Sequence, residues 1–155
     1  MGFGVPAAIG ACIASGGKRT IVIEGDGGFA MNTQELEVIR RLDLPIKIFV
    51  LDNNGYGSIR NSQRAWFQHE VGCDPDSGLT LPHPCAIGDC YEIETELLLT
   101  CNQFKADWLG NVLAEPGPTI IRVKTSPNQQ TLPRVQSYRD ETGKMRTKPM
   151  EEMKV

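Results

Sequence analysis

The sequence predicts an α/β fold in which a doubly wound, mainly parallel sheet carries helices on both faces. Three observations predict it. Residues 20–23, 46–51 and 119–123 are short, largely apolar runs; helical stretches separate them; and glycine-containing polar turns follow the first two runs directly. Near-continuous apolar runs belong to strands covered on both faces of a parallel sheet. Helices alternating with strands are the crossovers that parallel pairing requires.

Taken in order, residues 4–15 read as a closely packed helix whose surface Ala7, Ala8, Ala11 and Ala14 keep small. Pro6 is tolerated in a first turn, and Gly16-Gly17 ends the helix before Lys18 and Arg19. The strand at 20–23 leads into the turn Glu24-Gly25-Asp26-Gly27-Gly28. Asn32, with Glu35 three residues later, has the form of a capping box. Leu36, Ile39 and Leu42 then give the next helix an apolar face, and Pro45 closes the connection to the strand at 46–51. Residues 52–57 (DNNGYG) are the second polar turn. From there to about residue 90 the chain reads as loop-rich, with Pro75, Pro82 and Pro84. Residues 94–114, carrying Leu97, Leu98, Phe104, Trp108 and Leu109, read as helical, and Pro116-Gly117-Pro118 breaks that helix before the strand at 119–123. The expected domain is 1–125. Residues 126–155, polar and punctuated by proline, are expected to wrap a surface rather than form a second domain. There is no internal repeat.

Composition excludes several classes. The 155 residues suit one domain, 40% of them are hydrophobic, and the net charge of -3 is dispersed. No basic block that would track a phosphate backbone is present, so nucleic acid is not an expected partner. No apolar run approaches the ~20 residues of a membrane span. The apolar start lacks the positive region of a signal peptide, and Pro6 spoils a myristoylation signal. Five cysteines, an odd number without a CxxC pair, point to reduced thiols and a cytoplasmic protein. His83, Cys85 and Cys90 match no common zinc spacing.

The chemistry lies in the two turns. Ligands of a doubly wound sheet bind beyond the carboxyl ends of its strands, where both turns fall. Asp26 offers a carboxylate, the asparagines an amide oxygen, and the glycines let backbone approach a ligand closely. Such hard oxygen donors suit Mg²⁺, which completes its octahedron with water and phosphate oxygens. A helix beginning near Asn32 would turn its amide-rich end toward that phosphate. The residues therefore read as a Mg²⁺–diphosphate site.

Gly27 and Asn53 have 25 residues between them. A GDG turn followed at this distance by an asparagine pair resembles the thiamine-diphosphate (ThDP) motif. MGFGVPAAIGA at the start, NNGYGSIR, CDPDSGL and PGPTIIRVK resemble the carboxy-terminal ThDP-binding domain of the acetolactate synthase and 2-oxoacid decarboxylase family. The tail, with Pro133-Arg134-Val135 and Met150-Glu151-Glu152-Met153, is similar to synthase-like members. The resemblance implies a Rossmann-like ThDP-binding fold. It also implies a metal set of Asp26, the Asn53 side chain and the Gly55 carbonyl, with Asn54 as the alternative amide. Gly27 and Gly28 would face the diphosphate, Met1 would sit under the bent cofactor, and Tyr56 would touch cofactor or pack. The implied activity is decarboxylation or carboligation of small 2-oxoacids through a C2 carbanion of ThDP, in a transferase or lyase of homo-oligomeric build. In this family active sites form between domains of two subunits.

The resemblance begins inside the family's domain. The sequence is therefore expected to lack that domain's first strand and the separate pyrimidine-binding domain with its activating glutamate. No catalytic residue is assigned, the chain alone is expected to be inactive, and apolar surface is expected to be exposed near residues 1–15. Ser62 stands where acetolactate synthases place a substrate-selecting tryptophan, and Asp52 replaces the more usual first asparagine. Both departures favour a synthase-like decarboxylase or carboligase with another 2-oxoacid or aldehyde. A ThDP-binding subunit of a split 2-oxoacid decarboxylase, or a non-catalytic remnant, remain alternatives. Arg60, Gln63 and Arg64 read as a solvated face or interface, His69 and His83 as surface histidines, and Trp66-Phe67 as packing or a subunit contact.

Overall fold

The computed structural model describes residues 1–129, 135 and 137–149. Helix α1 (Gly4–Ala14) precedes strand β1 (Thr20–Gly25), and a single helical turn, α2 (Asp26–Phe29), follows that strand at once. A 3₁₀ turn (Thr33–Glu35) and α3 (Leu36–Arg41) lead to β2 (Ile46–Asp52). Then come α4 (Gly57–Trp66), α5 (Pro84–Cys90), β3 (Glu94–Leu98), α6 (Ala106–Ala114) and β4 (Thr119–Lys124). The four strands form one sheet in the order β1-β2-β4-β3, and every pairing is parallel.

Side-chain alternation along the two central strands builds the two halves of the core. Ile46, Ile48 and Val50 of β2 and Ile120 of β4 face Val5, Ala8, Ile9 and Cys12 of α1 and Leu36 and Ile39 of α3, with Ile87 and Tyr91 of α5 packed on their edge. Phe49 and Ile121 face the other way, onto Trp108, Leu109 and Val112 of α6. Helices therefore lie on both faces of a mainly parallel sheet, as the apolar runs predict. Gly16 and Gly17 end α1 at φ +77° and +76°, a conformation that glycine adopts without strain.

Four expectations are corrected. Strand β1 is not buried on both faces. It is a sheet edge with only one face covered, so Ile21 and Ile23 are 51% and 67% exposed. Residues 94–98 are a strand, although Glu and Leu favour helix, because pairing in register with Thr119–Val123 and burial of Leu98 outweigh propensity. The helix begins only at Ala106. The stretch to residue 90 contains two helices, α4 and α5, rather than mostly loop. The capping box does not form: Asn32 makes no cap, and its side-chain amide donates instead to the Gly2 carbonyl at 2.5 Å.

In the tail, Ser137–Arg139 (β5) and Met145–Thr147 (β6) pair as an antiparallel hairpin. Asp140 organises its turn by accepting from the Thr142 and Lys144 amides. The Thr142 hydroxyl and the Arg146 guanidinium hold the Asp140 carboxyl down at about 2. Val135 is exposed. Pro133, Arg134 and Met150 to Met153, on which the tail's resemblance rests, lie outside the described residues.

Candidate cofactor and metal site

Strands β1 and β2 are neighbours in register, Gly25 beside Leu51, so the turns that follow them emerge side by side. The Asp26 carboxylate joins the two turns. Its Oδ1 accepts from the Gly27 amide and its Oδ2 from the Gly55 amide, both at 2.9 Å. Asp26 is buried, at 5% exposure. Burial pushes its carboxyl above the ordinary range, the Gly55 and Gly27 amides pull it partway back, and the charge of nearby Asp52 adds to the rise.

Asp52 is itself buried but neutralised. Arg122 Nε donates to it at 2.6 Å, Lys124 Nζ at 3.4 Å and the Asn54 amide at 3.0 Å. Burial acts to raise the Asp52 carboxyl, yet Arg122, the Asn54 amide and the Lys124 charge together outweigh it and leave the carboxyl below its usual value. Asp52 is thus committed to cations of the chain, whereas among the described residues Asp26 accepts only from amides.

Asn53 supplies the decisive atom. Its Oδ1 is buried and has no hydrogen-bond partner among the described residues. A buried acceptor without a donor is costly, and a ligand from outside the chain would satisfy it. Asn54 is exposed, at φ +64°, so the buried free oxygen belongs to the first asparagine of the pair. A carboxylate that burial disfavours, an amide oxygen without a donor and the carbonyl of Gly55 form a donor set that fits Mg²⁺.

A cleft of about 260 Å³ opens over these groups. Met1, Asp26, Gly27, Gly28, Asn53, Gly55 and Tyr56, all singled out in the sequence, line it together. Glu24, Gly57, Ser58 and Ile59 also line it, and the motif alone did not point to them. The Tyr56 ring packs against the turn: a Cβ on Gly27 would meet it at 2.3 Å. The amide of Gly4 donates to Glu24 Oε1 at 3.4 Å, while Glu24 Oε2 is buried with no donor among the described residues. Glu24 stands two residues before Asp26, and Cβ atoms on Gly4 and Gly28 would each meet its carboxylate at 2.5 Å.

The remaining candidates lie outside the cleft. His69 and His83 are exposed, and His83 contacts Arg122. Arg64 pairs with Glu70 at the surface, and Gln63 exchanges two hydrogen bonds with Val71. Trp66 and Phe67 are exposed rather than packed. Arg60 does not lie on a solvated face: it is 1% exposed. Glu70, Cys73 and Asp74 converge as well, but Arg64 and Arg60 already neutralise the two carboxylates.

Residues 1–123 match the family model described as the thiamine pyrophosphate enzyme, C-terminal TPP binding domain. The chain belongs to this family. Curated relatives in it include the acetolactate synthase isozyme 2 large subunit of Escherichia coli K12, 34% identical over 87% of this chain and 24% of that protein. The acetolactate synthase large subunit of Cyanidium caldarium is 35% identical over 83% of this chain and 22% of that protein. Among solved structures, the ThDP-dependent 4-hydroxybenzoylformate decarboxylase of Rhodococcus jostii RHA1 superposes with a TM-score of 0.69 at 28% identity, over 81% of this chain and 23% of that one. The chain thus spans about a quarter of the length of these ThDP-family relatives. It is a C-terminal ThDP-binding domain of acetolactate synthase type, and its sheet has the fold of a ThDP enzyme.

Proposed function

We propose that this domain holds Mg²⁺ and the diphosphate of ThDP for an acetolactate synthase-like transferase or lyase acting on small 2-oxoacids. The observation that carries the reading is the buried, donorless Oδ1 of Asn53 beside the Asp26–Gly55 link. In this reading the Asp26 carboxylate, Asn53 Oδ1 and the Gly55 carbonyl hold the cation. Gly27 and Gly28 admit the diphosphate against backbone, where any side chain at 27 would strike Tyr56. Met1 and Tyr56 supply apolar walls. ThDP, when bound, provides the electron sink for decarboxylation and carboligation. No residue of this chain is assigned to proton transfer on the pyrimidine ring. That role goes to a pyrimidine-binding domain of the same or another chain, within a homo-oligomer. The five free thiols fit a reducing, cytoplasmic setting.

Calorimetric titration with ThDP, with and without Mg²⁺, tests the reading. Binding is expected only with the metal. Asp26→Ala and Asn53→Ala are each expected to weaken it by more than ~100-fold, beyond the 10–100-fold cost of losing an outer-shell partner. Metal-independent binding, or binding indifferent to both substitutions, overturns the proposed metal set.

A further inference from the structure

Helix α1 begins without a cap of its own. Its N-cap residue, Phe3, makes no side-chain cap, and its first turn holds no acidic residue. The amides of a helix start need acceptors, and the positive end of the helix dipole favours an anion beside them. Glu24, carried by β1, brings that anion from elsewhere in the chain: the Gly4 amide donates to its Oε1 at 3.4 Å.

The carboxylate is wedged between α1 and α2. A Cβ on Gly4 would lie 2.5 Å from Oε2, and a Cβ on Gly28 would lie 2.5 Å from Oε1, so glycine at both positions is what admits it. Oε2 is buried and has no hydrogen-bond partner among the described residues. A buried polar atom left in this state costs stability, and folds carry such costs mainly at functional sites. Here the cost falls in the wall of the cofactor cleft, which Glu24 and Met1 line together.

The segment ahead of α1 is pinned at a second point. The Asn32 side-chain amide donates to the Gly2 carbonyl at 2.5 Å, and Gly2, at φ +76°, has Asn32 and Met31 where a side chain would stand. Backbone anchors thus lie on either side of Phe3. Met1 is 71% exposed, so these anchors, rather than its own burial, set its place on the cleft. Resting on the cofactor-site reading above, we propose that Glu24 is a positioning residue. As the borrowed cap of α1 it fixes Met1 at the cleft, and so governs how tightly the site grips the part of ThDP beyond its diphosphate. The acceptor and its reach are the essential properties.

The test separates the two halves of the ligand. ThDP and, separately, inorganic pyrophosphate are titrated into the full chain in saturating Mg²⁺. The measurement is repeated for Glu24→Ala, Glu24→Asp and Glu24→Gln. Alanine removes the acceptor, aspartate draws it back by one methylene, and glutamine keeps both acceptor and reach. Glu24→Ala and Glu24→Asp are expected to weaken ThDP about five- to tenfold, the scale of one lost hydrogen bond, and to change pyrophosphate by less than about twofold. Glu24→Gln is expected to bind both ligands within about twofold of the unaltered chain. Amide exchange at residues 2–4 should quicken in the alanine and aspartate variants only. If Glu24→Ala does not fold, Glu24→Asp decides. Equal losses for ThDP and pyrophosphate would place the effect on the diphosphate turn and overturn the inference. A loss in Glu24→Gln as large as in Glu24→Ala would make charge the operative property and overturn it too, as would no change in any variant. If the unaltered chain binds neither ligand, the cofactor-site reading itself falls and takes the inference with it.

Discussion

Single residues here fall into those whose role the sequence displays and those whose role only three dimensions disclose. Asp26 and Asn53 stand out as candidates in the sequence because glycine spacing and residue type mark them, and the structure brings both to one cleft. The hydrogen bond from the Gly55 amide to Asp26, which joins the two turns, does not stand out, since nothing local encodes it. Lys47 is a second concealed case. It lies in the apolar run of β2 and is fully buried, with Nζ donating to the Gly117 carbonyl at 3.0 Å and to Thr119 Oγ1 at 2.8 Å. Burial, with help from the charge of Arg19, pushes its amine below the ordinary lysine value. The native state therefore loses this proton before the unfolded chain does. Between the lowered native value and the usual value of about 10.4, the unfolded state binds more protons, so Lys47 makes stability rise with pH; below that window its penalty is present in full. Urea unfolding from neutral pH toward that limit should show a more positive slope in the unaltered chain than in Lys47→Met. Identical pH profiles would mean that Lys47 is charged or neutral alike in both states.

At the scale of elements, β1, β2 and β4 were readable as strands because each is largely apolar, while β3 and α4 were not. Strand β3 has the composition of a helix and is defined by its partner. Helix α4 has Arg60 as its one buried side chain, so a cation stands where the sequence would be searched for hydrocarbon. The segment before α1 shows the same dependence on distant partners. Gly2 is at φ +76°, its carbonyl accepts from Asn32, and the Gly4 amide reaches Glu24, so Met1 is carried to the cleft by ties to the far side of the first turn. Replacing Asn32 by Ala should speed amide exchange in residues 2–5 about three- to tenfold, as expected for one lost hydrogen bond, and leave α3 unchanged. Unaltered exchange at residues 2–5 would show that packing alone holds the segment.

For the molecule as a whole, the sheet is covered unevenly, and this shapes its behaviour in solution. Helix α6 protects only part of its face, over Phe49 and Ile121. On the same face, β1 presents Ile21 and Ile23, and Leu51 of β2 stands beside them at 37% exposure. Met1, Phe3 and Ile13 are exposed around α1 at 71%, 76% and 54%, in line with the apolar surface expected near residues 1–15. Among the described residues, strand β1 is also an open edge of a parallel sheet, with backbone groups that can pair with another chain. Apolar patches joined to an unpaired edge favour association over solvation. The isolated chain should therefore bind a hydrophobic dye and sediment as a concentration-dependent mixture. Ile21→Lys with Ile23→Lys should lower both signals while changing stability by no more than about 0.5 kcal/mol per site, because neither side chain contributes to the buried core. The charged pair acts twice, by removing apolar area and by opposing edge pairing through repulsion. Sedimentation of the unaltered chain as a monomer at every concentration, without dye binding, would mean that this face is shielded in solution. The unevenly covered sheet would then not be the surface on which copies or partner domains meet.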